Sequence, residues 1–201
     1  SFAGPFWTGA LSYDLLQLTQ PIRLQHPPQE GQLLCVLWEI HHCIVHEKSN
    51  DSLIVLSTDT GWKEGVRACL EHDPLNYTAP TVLLGQKPTS TCTDKEHEEI
   101  VRKVHSAIID GQLYQLNFGR TWEGEIQSEP WTVFSHSISS NHAPYSGFLH
   151  MKDEGFSLVS ASPESLLTTK DGTITTAPFQ GTAPRGASDA EELLLREDMI
   201  S

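Results

Sequence analysis

The chain has 201 residues, a formal net charge of −13 and an apolar fraction of 38%, values that indicate a folded globular protein. Its acidity argues against a nucleic-acid-binding surface, and no apolar run approaches the roughly 18 residues of a membrane helix. The cysteines show no CxxC spacing, which favours reduced thiols in a cytoplasmic protein.

Both ends of the sequence indicate a fragment of a longer protein. Position 1 is Ser rather than Met, and it opens an apolar, glycine-containing run. Ser188 and Glu191 have the spacing of a capping box, so a helix is predicted to begin there, and no stop signal follows before Ser201. We therefore expect a fold that is incomplete at both ends.

The first part of the chain, residues 1–75, is predicted to be rich in β-strands. Aromatic and small residues alternate over residues 2–13, and an apolar run covers residues 33–38. Polar and apolar residues alternate over much of residues 39–47, and a turn then leads into the apolar segment 52–57. We predict that the later strands form an antiparallel meander.

Helical periodicity recurs in three places. Residues 61–72 carry one apolar stripe, and residues 130–139 carry another. The clearest helix begins at Thr93, which forms a capping box with Glu96, and Gly111 is expected to end it.

The second half of the chain predicts further strands and one conspicuous hairpin. Strands are expected over residues 113–122 and 145–151. A hairpin then spans residues 158–176, with Lys170-Asp171-Gly172 as its turn. Glu164 follows Pro163 directly and is expected at the edge of a strand, so its carboxylate would lie close to the start of this hairpin.

His41, His42, Cys43 and His46 are residue types that bind transition metals. On a strand, however, His42 and His46 would share one face while His41 and Cys43 share the other. Because such a site needs three or four converging ligands, a partly exposed strand is the favoured interpretation.

Five segments, spread in order over the whole chain, resemble the chorismate-utilising enzymes. Residues 161–166 read A-S-P-E-S-L and residues 175–186 read T-T-A-P-F-Q-G-T-A-P-R-G, against the family's S-P-E-R-F and P-I-K/A-G-T-x-x-R-G. Residues 9–14 (G-A-L-S-Y-D), 109–117 (I-D-G-Q-L-Y-Q-L-N) and 141–146 (N-H-A-P-Y-S) also agree. The family includes aminodeoxychorismate synthase component I, anthranilate synthase component I and the isochorismate and salicylate synthases.

The resemblance implies an α+β fold, with an antiparallel β-sandwich core and helices on its outer faces. Residues 1–201 would form a single partial chorismate-binding module, in which residues 93–201 are the first part of the catalytic region. Within the family, segments 109–117 and 141–146 are most similar to the aminodeoxychorismate branch. That branch makes 4-amino-4-deoxychorismate, the precursor of p-aminobenzoate and folate, with ammonia from a glutamine amidotransferase partner.

The resemblance also implies the site. Glu164 and Gln180 would be catalytic, and Gly181 and Thr182 would bind chorismate. Pro144 and Tyr145 would line a neighbouring pocket for a tryptophan-like ligand. Mg²⁺ is the implied cofactor, with ligands expected beyond Ser201 and no metal ligand within this fragment.

Gln180 departs from the pattern. The aminodeoxychorismate branch usually has a nucleophilic lysine at this position, and anthranilate synthases have alanine. A carboxamide cannot replace a lysine amine as a nucleophile, because its nitrogen lone pair is delocalised into the carbonyl. Three alternatives therefore remain: aminodeoxychorismate synthase, anthranilate synthase, and a catalytically degenerate paralogue that only binds a ligand or partner.

Overall fold

The computed structural model describes residues 5–72, 81–141, 143–178 and 184–198. These residues form a mixed α/β structure in which the strands pair antiparallel in two-stranded sheets. The chain divides into two compact units, Ser1–Tyr77 and Thr78–Ser201. No helix in the described ranges is both long enough and apolar enough to cross a bilayer.

The first unit contains two antiparallel strand pairs and one long helix among its described residues. β1 pairs with β2, and β3 pairs with β4. The elements are β1 (Phe6–Leu11), a 3₁₀ turn (Tyr13–Leu15), α1 (Leu16–Thr19), β2 (Cys35–Ile40), β3 (His42–Glu47), β4 (Ser52–Ser57) and α2 (Thr60–Glu71).

The predicted meander is confirmed only in its second half: β3 pairs antiparallel with β4, but β2 does not pair with β3. β2 ends at Ile40 and β3 begins at His42, so only His41 separates them. A hairpin needs a loop of at least about two residues, so β3 cannot fold back onto β2. The chain instead bends at His41 and passes from one two-stranded sheet to the next.

The helix predicted over residues 61–72 is confirmed as α2. The Asp59 side chain caps it by accepting a hydrogen bond from the N–H of Trp62 at 3.0 Å. The helix packs on β4, and the ring of Trp62 stacks on that of His42 with 5.1 Å between centroids. The apolar stripe of α2 therefore faces the β3–β4 sheet.

The second unit contains three further strand pairs and three helices among its described residues. β5 pairs with β6, β7 with β8, and β9 with β10. The elements are β5 (Thr89–Ser90), α3 (Asp94–Ile109), β6 (Trp122–Glu123), α4 (Pro130–Ser140), β7 (Tyr145–Met151), β8 (Phe156–Ser162), β9 (Ser165–Lys170), β10 (Thr173–Ala177) and α5 (Asp189–Asp198).

The capping box predicted for α3 is present. The Thr93 hydroxyl accepts from the N–H of Glu96 at 3.2 Å, and the Glu96 carboxylate accepts from the N–H of Thr93 at 2.8 Å. At the other end, Gly111 adopts φ +71°, and its N–H donates to the carbonyl of Ile108 at 3.0 Å. Glycine takes this left-handed conformation without a steric cost, so it ends the helix as predicted.

The strand predicted over residues 113–122 is wrong. Among the described residues, only Trp122–Glu123 joins a ladder in this part of the chain, opposite β5. Residues 113–121 instead connect the two ends of α3: the N–H of Gln112 bonds to the carbonyl of Ala107, and Arg120 reaches Asp94 at the first turn. An apolar and polar pattern indicates an extended chain but does not say whether a partner strand is present.

Helix α4 covers one face of the β7–β8 hairpin with aromatic side chains. The ring of Phe148 lies 5.5 Å from that of Trp131 and 5.4 Å from that of Phe134. Phe148 and Tyr145 are an odd number of positions apart on β7, so their side chains leave opposite faces of the strand. The face that carries Tyr145 is therefore the one opposite α4.

Candidate functional site

The open end of the β7–β8 hairpin begins with Tyr145 and leads into Glu164, two residues that the sequence assigned to neighbouring pockets. Tyr145 is the first residue of β7 and pairs in register with Ser162, the last residue of β8. Pro163 and Glu164 then link β8 to β9. Glu164 therefore follows the cross-strand neighbour of Tyr145 by two positions.

The link between β8 and β9 is short and internally bonded. The hydroxyl group of Ser162 donates to the carbonyl of Glu164 at 3.1 Å and accepts from the N–H of Glu164 at 3.4 Å. Pro163 between them has no N–H and a nearly fixed φ. One hydroxyl group thus satisfies both backbone polar groups of Glu164, a local turn typical of serine.

The turn before β7 positions Pro144 and Tyr145. The carbonyl of Ala143 accepts from the hydroxyl of Ser146 at 2.8 Å and from its N–H at 3.3 Å, which closes the turn around the two residues. Tyr145 remains 52% exposed, so its ring is available to a ligand. His142 lies outside the described residues.

The β9–β10 hairpin follows the predicted pattern. Asp171 and Gly172 adopt φ +49° and +77°, the pair of left-handed conformations of a type I′ turn. The ladder shifts register between Thr175 and Ala177, and the Thr176 hydroxyl between them donates to the carbonyl of Leu166 at 2.8 Å. β10 ends at Ala177, and Gln180, Gly181 and Thr182 lie outside the described residues.

The P-R-G segment is held against the first turn of α5. The Glu192 carboxylate accepts from the N–H of Gly186 at 2.8 Å and from Nη1 of Arg185 at 2.6 Å. The hydrogen bond from Gly186, followed by that from Arg185, lowers the pKa of the Glu192 carboxyl below its ordinary value. A side chain on Gly186 would collide with the backbone of Glu192, which explains the glycine.

The histidines of β3 have separate partners. Nδ1 of His42 lies 2.7 Å from the Ser57 hydroxyl, and Nε2 of His46 lies 2.8 Å from the Asp51 carboxylate. Within the described part of the chain, no three His, Cys, Asp or Glu side chains converge to hold a metal ion. The histidines and the cysteine of β3 therefore do not form a transition-metal site.

Ser162 is the residue of this region that the sequence reasoning missed. Its signal was present, because a serine two positions before a candidate catalytic residue, across a proline, is suited to bond that residue's backbone. The pairing of Ser162 with Tyr145 gave no such signal, since it depends on the register of β7 and β8.

Comparison with known proteins identifies the family of the chain. The profile described as "chorismate binding enzyme" matches residues 1–201, the full length of the chain. The chain belongs to this family.

Relatives from two branches of the family match the chain at similar identity. Anthranilate synthase component 1 of Mycolicibacterium smegmatis is 34% identical over 113 residues, which cover 54% of this chain and 22% of the relative. Aminodeoxychorismate synthase component 1 of Salmonella typhimurium is 32% identical over 96 residues, which cover 48% of this chain and 21% of the relative. The identities do not separate the two branches.

A solved structure shows the fold. Anthranilate synthase component I from Streptococcus pneumoniae superposes with a TM-score of 0.71 at 20% sequence identity. The superposition covers 98% of this chain and 45% of that chain. This chain therefore shares the fold of the corresponding part of that protein, and it spans less than half of its length.

Proposed function

We propose that the protein is an enzyme that acts on chorismate, and specifically an aminodeoxychorismate synthase component I. Chorismate and ammonia would give 4-amino-4-deoxychorismate and water, on the route to p-aminobenzoate and folate. The observation that carries the chorismate assignment is the family match along residues 1–201. The choice of branch rests on Tyr114-Gln115-Leu116-Asn117 and on Asn141-His142-Ala143-Pro144.

Glu164 is proposed to act at the hydroxyl group of the cyclohexadiene ring. A carboxyl group there can transfer a proton to the C4 oxygen as it departs, which turns a poor leaving group into water. The turn formed by Ser162 fixes the backbone of Glu164, as general acid catalysis requires of its donor.

Gly181 and Thr182 are proposed to bind chorismate through a backbone N–H and a hydroxyl group. Gln180 is proposed to orient the incoming ammonia, with water as its competitor. Because a carboxamide is not a nucleophile, ammonia would enter directly and no covalent enzyme adduct would form. Pro144 and Tyr145 are proposed to line the neighbouring pocket for a tryptophan-like ligand.

The remaining assignments are proposals about the whole protein. A glutamine amidotransferase, fused or separate, would supply ammonia, and Mg²⁺ would be held by residues outside this chain. The two-stranded sheets described above would be parts of an antiparallel sandwich, and the protein would be cytoplasmic.

Product analysis of the full-length protein tests the proposal. The protein is incubated with chorismate, ammonia and Mg²⁺, and the products are separated by chromatography. We expect 4-amino-4-deoxychorismate. Isochorismate as the sole product would exclude both synthase assignments, and no consumption of chorismate would favour a paralogue that only binds.

Anthranilate synthase component I is the second candidate, and one specific observation favours it: the lysine of the aminodeoxychorismate branch is replaced by Gln180. That reaction would give anthranilate, pyruvate and water from the same substrates. Anthranilate as the sole product in the same experiment would establish it against the first proposal.

A Gln180→Lys variant tests whether Gln180 occupies the nucleophile position. A lysine amine there can add to C2 of chorismate as the C4 hydroxyl group leaves as water, so mass spectrometry after incubation with chorismate and Mg²⁺ is expected to show a covalent adduct. The unmodified protein is the control and should give none. Saturation of the variant with chorismate and no adduct would contradict this placement of residue 180.

A further inference from the structure

The Ser162 side chain bonds both backbone polar groups of Glu164. β8 ends at Ser162 and β9 begins at Ser165, so only Pro163 and Glu164 connect strands of two different sheets. Neither linking residue belongs to a strand, and Pro163 has no N–H to donate. The Ser162 hydroxyl supplies both an acceptor for the Glu164 N–H and a donor for its carbonyl.

Ser162 is itself well anchored. It closes the β7–β8 ladder opposite Tyr145, and the residue is partly buried. On the far side of the link, Ser165 pairs with Ala177 at the start of β9. The link is thus fixed at both ends by strand pairing, and the Ser162 hydroxyl bonds the backbone of Glu164 in its middle.

We infer that Ser162 is a positioning residue for the reaction: its hydroxyl group holds the backbone of Glu164 and thereby aims the Glu164 carboxyl group. The inference rests on the proposed role of Glu164. An alanine at position 162 removes both of these hydrogen bonds, and the backbone of Glu164 then loses the contacts with Ser162 that orient it. Displacement of a reacting group by about 1 Å can lower the rate by roughly 100-fold.

Kinetics of full-length Ser162→Ala with chorismate, ammonia and Mg²⁺ test the inference. We expect kcat to fall about 10- to 100-fold while KM changes little, because the hydroxyl group orients a catalytic group rather than binding substrate. Ser162→Thr retains the hydroxyl group and should restore most of kcat. Ser160→Ala is the matched control, because Ser160 lies two residues before Ser162 on the same face of β8. This variant should leave kcat unchanged.

The outcomes separate this inference from the proposed function. A wild-type protein that does not consume chorismate would refute the proposed function before the variants are compared. An active wild type, an inactive Glu164→Gln and a folded Ser162→Ala with normal kcat would refute the role of Ser162 alone. If Ser162→Ala does not fold, Ser162→Cys replaces it, since a thiol keeps the shape but bonds weakly. A normal kcat in that variant would equally overturn the inference.

Discussion

Arg120 donates a hydrogen bond to Asp94 at the first turn of α3, with Nη1 and Oδ1 2.8 Å apart. The same guanidinium group donates to the carbonyl of Cys92 at 2.9 Å and to the hydroxyl of Ser90, and it lies 4.7 Å from the ring centre of Trp122. Only 16% of the Arg120 side chain is exposed, against 90% for Asp94. Arg120 therefore joins the start of α3 to β5 and β6.

Substitution of Arg120 is expected to be much more damaging than substitution of Asp94. Arg120→Met leaves the Cys92 carbonyl and the Ser90 hydroxyl without their charged donor, and should lower the free energy of unfolding by about 2–3 kcal/mol. Asp94→Asn removes an exposed ion pair and should cost less than about 1 kcal/mol. Urea unfolding of both variants measures the difference.

Arg102→Met is the control for Arg120→Met. Arg102 pairs with Glu98 at 3.7 Å on the surface of α3, and both side chains are 70% exposed. Such a pair contributes about 0.5 kcal/mol or less. Equal losses for Arg102→Met and Arg120→Met would show that the bonds around Arg120 do not stabilise the unit.

Two buried serines are expected to respond in opposite directions to alanine. Ser135, on α4, is 3% exposed, and its hydroxyl group has no hydrogen-bond partner among the described residues. Ser57 is 4% exposed, and its hydroxyl group bonds to His42 and to the N–H of Asp59. Ser135→Ala should stabilise by up to about 1 kcal/mol, whereas Ser57→Ala should cost about 1–2 kcal/mol. Destabilisation by Ser135→Ala comparable to that by Ser57→Ala would indicate a missing partner for Ser135.

The capping box of α3 predicts a specific loss of stability in acid. The N–H of Thr93, and then its hydroxyl group, hold the pKa of the Glu96 carboxyl below its ordinary value. A carboxyl group with a lowered pKa in the folded state binds protons more weakly than in the unfolded state. Its stabilisation is therefore complete above the unfolded pKa and is lost as the pH falls through the folded pKa.

Glu96→Gln keeps an acceptor oxygen but cannot ionise, so its free energy of unfolding should fall less steeply than that of the wild type across this acidic range. Glu99→Gln changes the same charge one turn later on α3 and serves as the control. Urea unfolding at a series of pH values provides the measurement. Superimposable pH profiles for the wild type and Glu96→Gln would rule out the lowered pKa.

Gly9 is expected to tolerate no side chain. A Cβ atom at this position of β1 would collide with the carbonyl oxygen of Val36 in β2, and that oxygen belongs to the backbone and cannot turn away. Gly9→Ala should therefore cost roughly 2–3 kcal/mol. Gly147→Ala, on β7, has nothing within 4 Å of the added atom and should be close to neutral. Similar thermal shifts for the two variants would contradict the packing described for β1 and β2.

Local signals in the sequence predicted the helices and turns well. The bounds of α2 and α4, the Thr93 cap, the Gly111 stop and the turn at Asp171 all depend on interactions within a few residues, and all are confirmed. Strand pairing was predicted less well, because it depends on distant residues. The strand expected over 113–122 and the pairing of β2 with β3 in the predicted meander both failed for this reason.

In the candidate site, too, local features could be predicted from the sequence, whereas features that depend on strand pairing could not. A sequence motif was enough to select Glu164 and Tyr145, but their position at one end of a hairpin depends on the register of β7 and β8. The turn that holds Glu164 is local and could have been predicted from Ser162 and Pro163. The roles of all the site residues stay predictions: Glu164, Gln180, Gly181, Thr182, Pro144 and Tyr145.

The central claim is that the protein transforms chorismate with Glu164 as a catalytic group. Turnover of chorismate by full-length wild type and Glu164→Gln, with ammonia and Mg²⁺, tests it most directly, and Glu154→Gln in the turn at the other end of the β7–β8 hairpin is the control. The wild type and Glu154→Gln should consume chorismate at equal rates, whereas Glu164→Gln should lose about 100- to 10,000-fold in kcat, since an amide cannot transfer the carboxyl proton. A Glu164→Gln variant with the wild-type kcat would contradict the account.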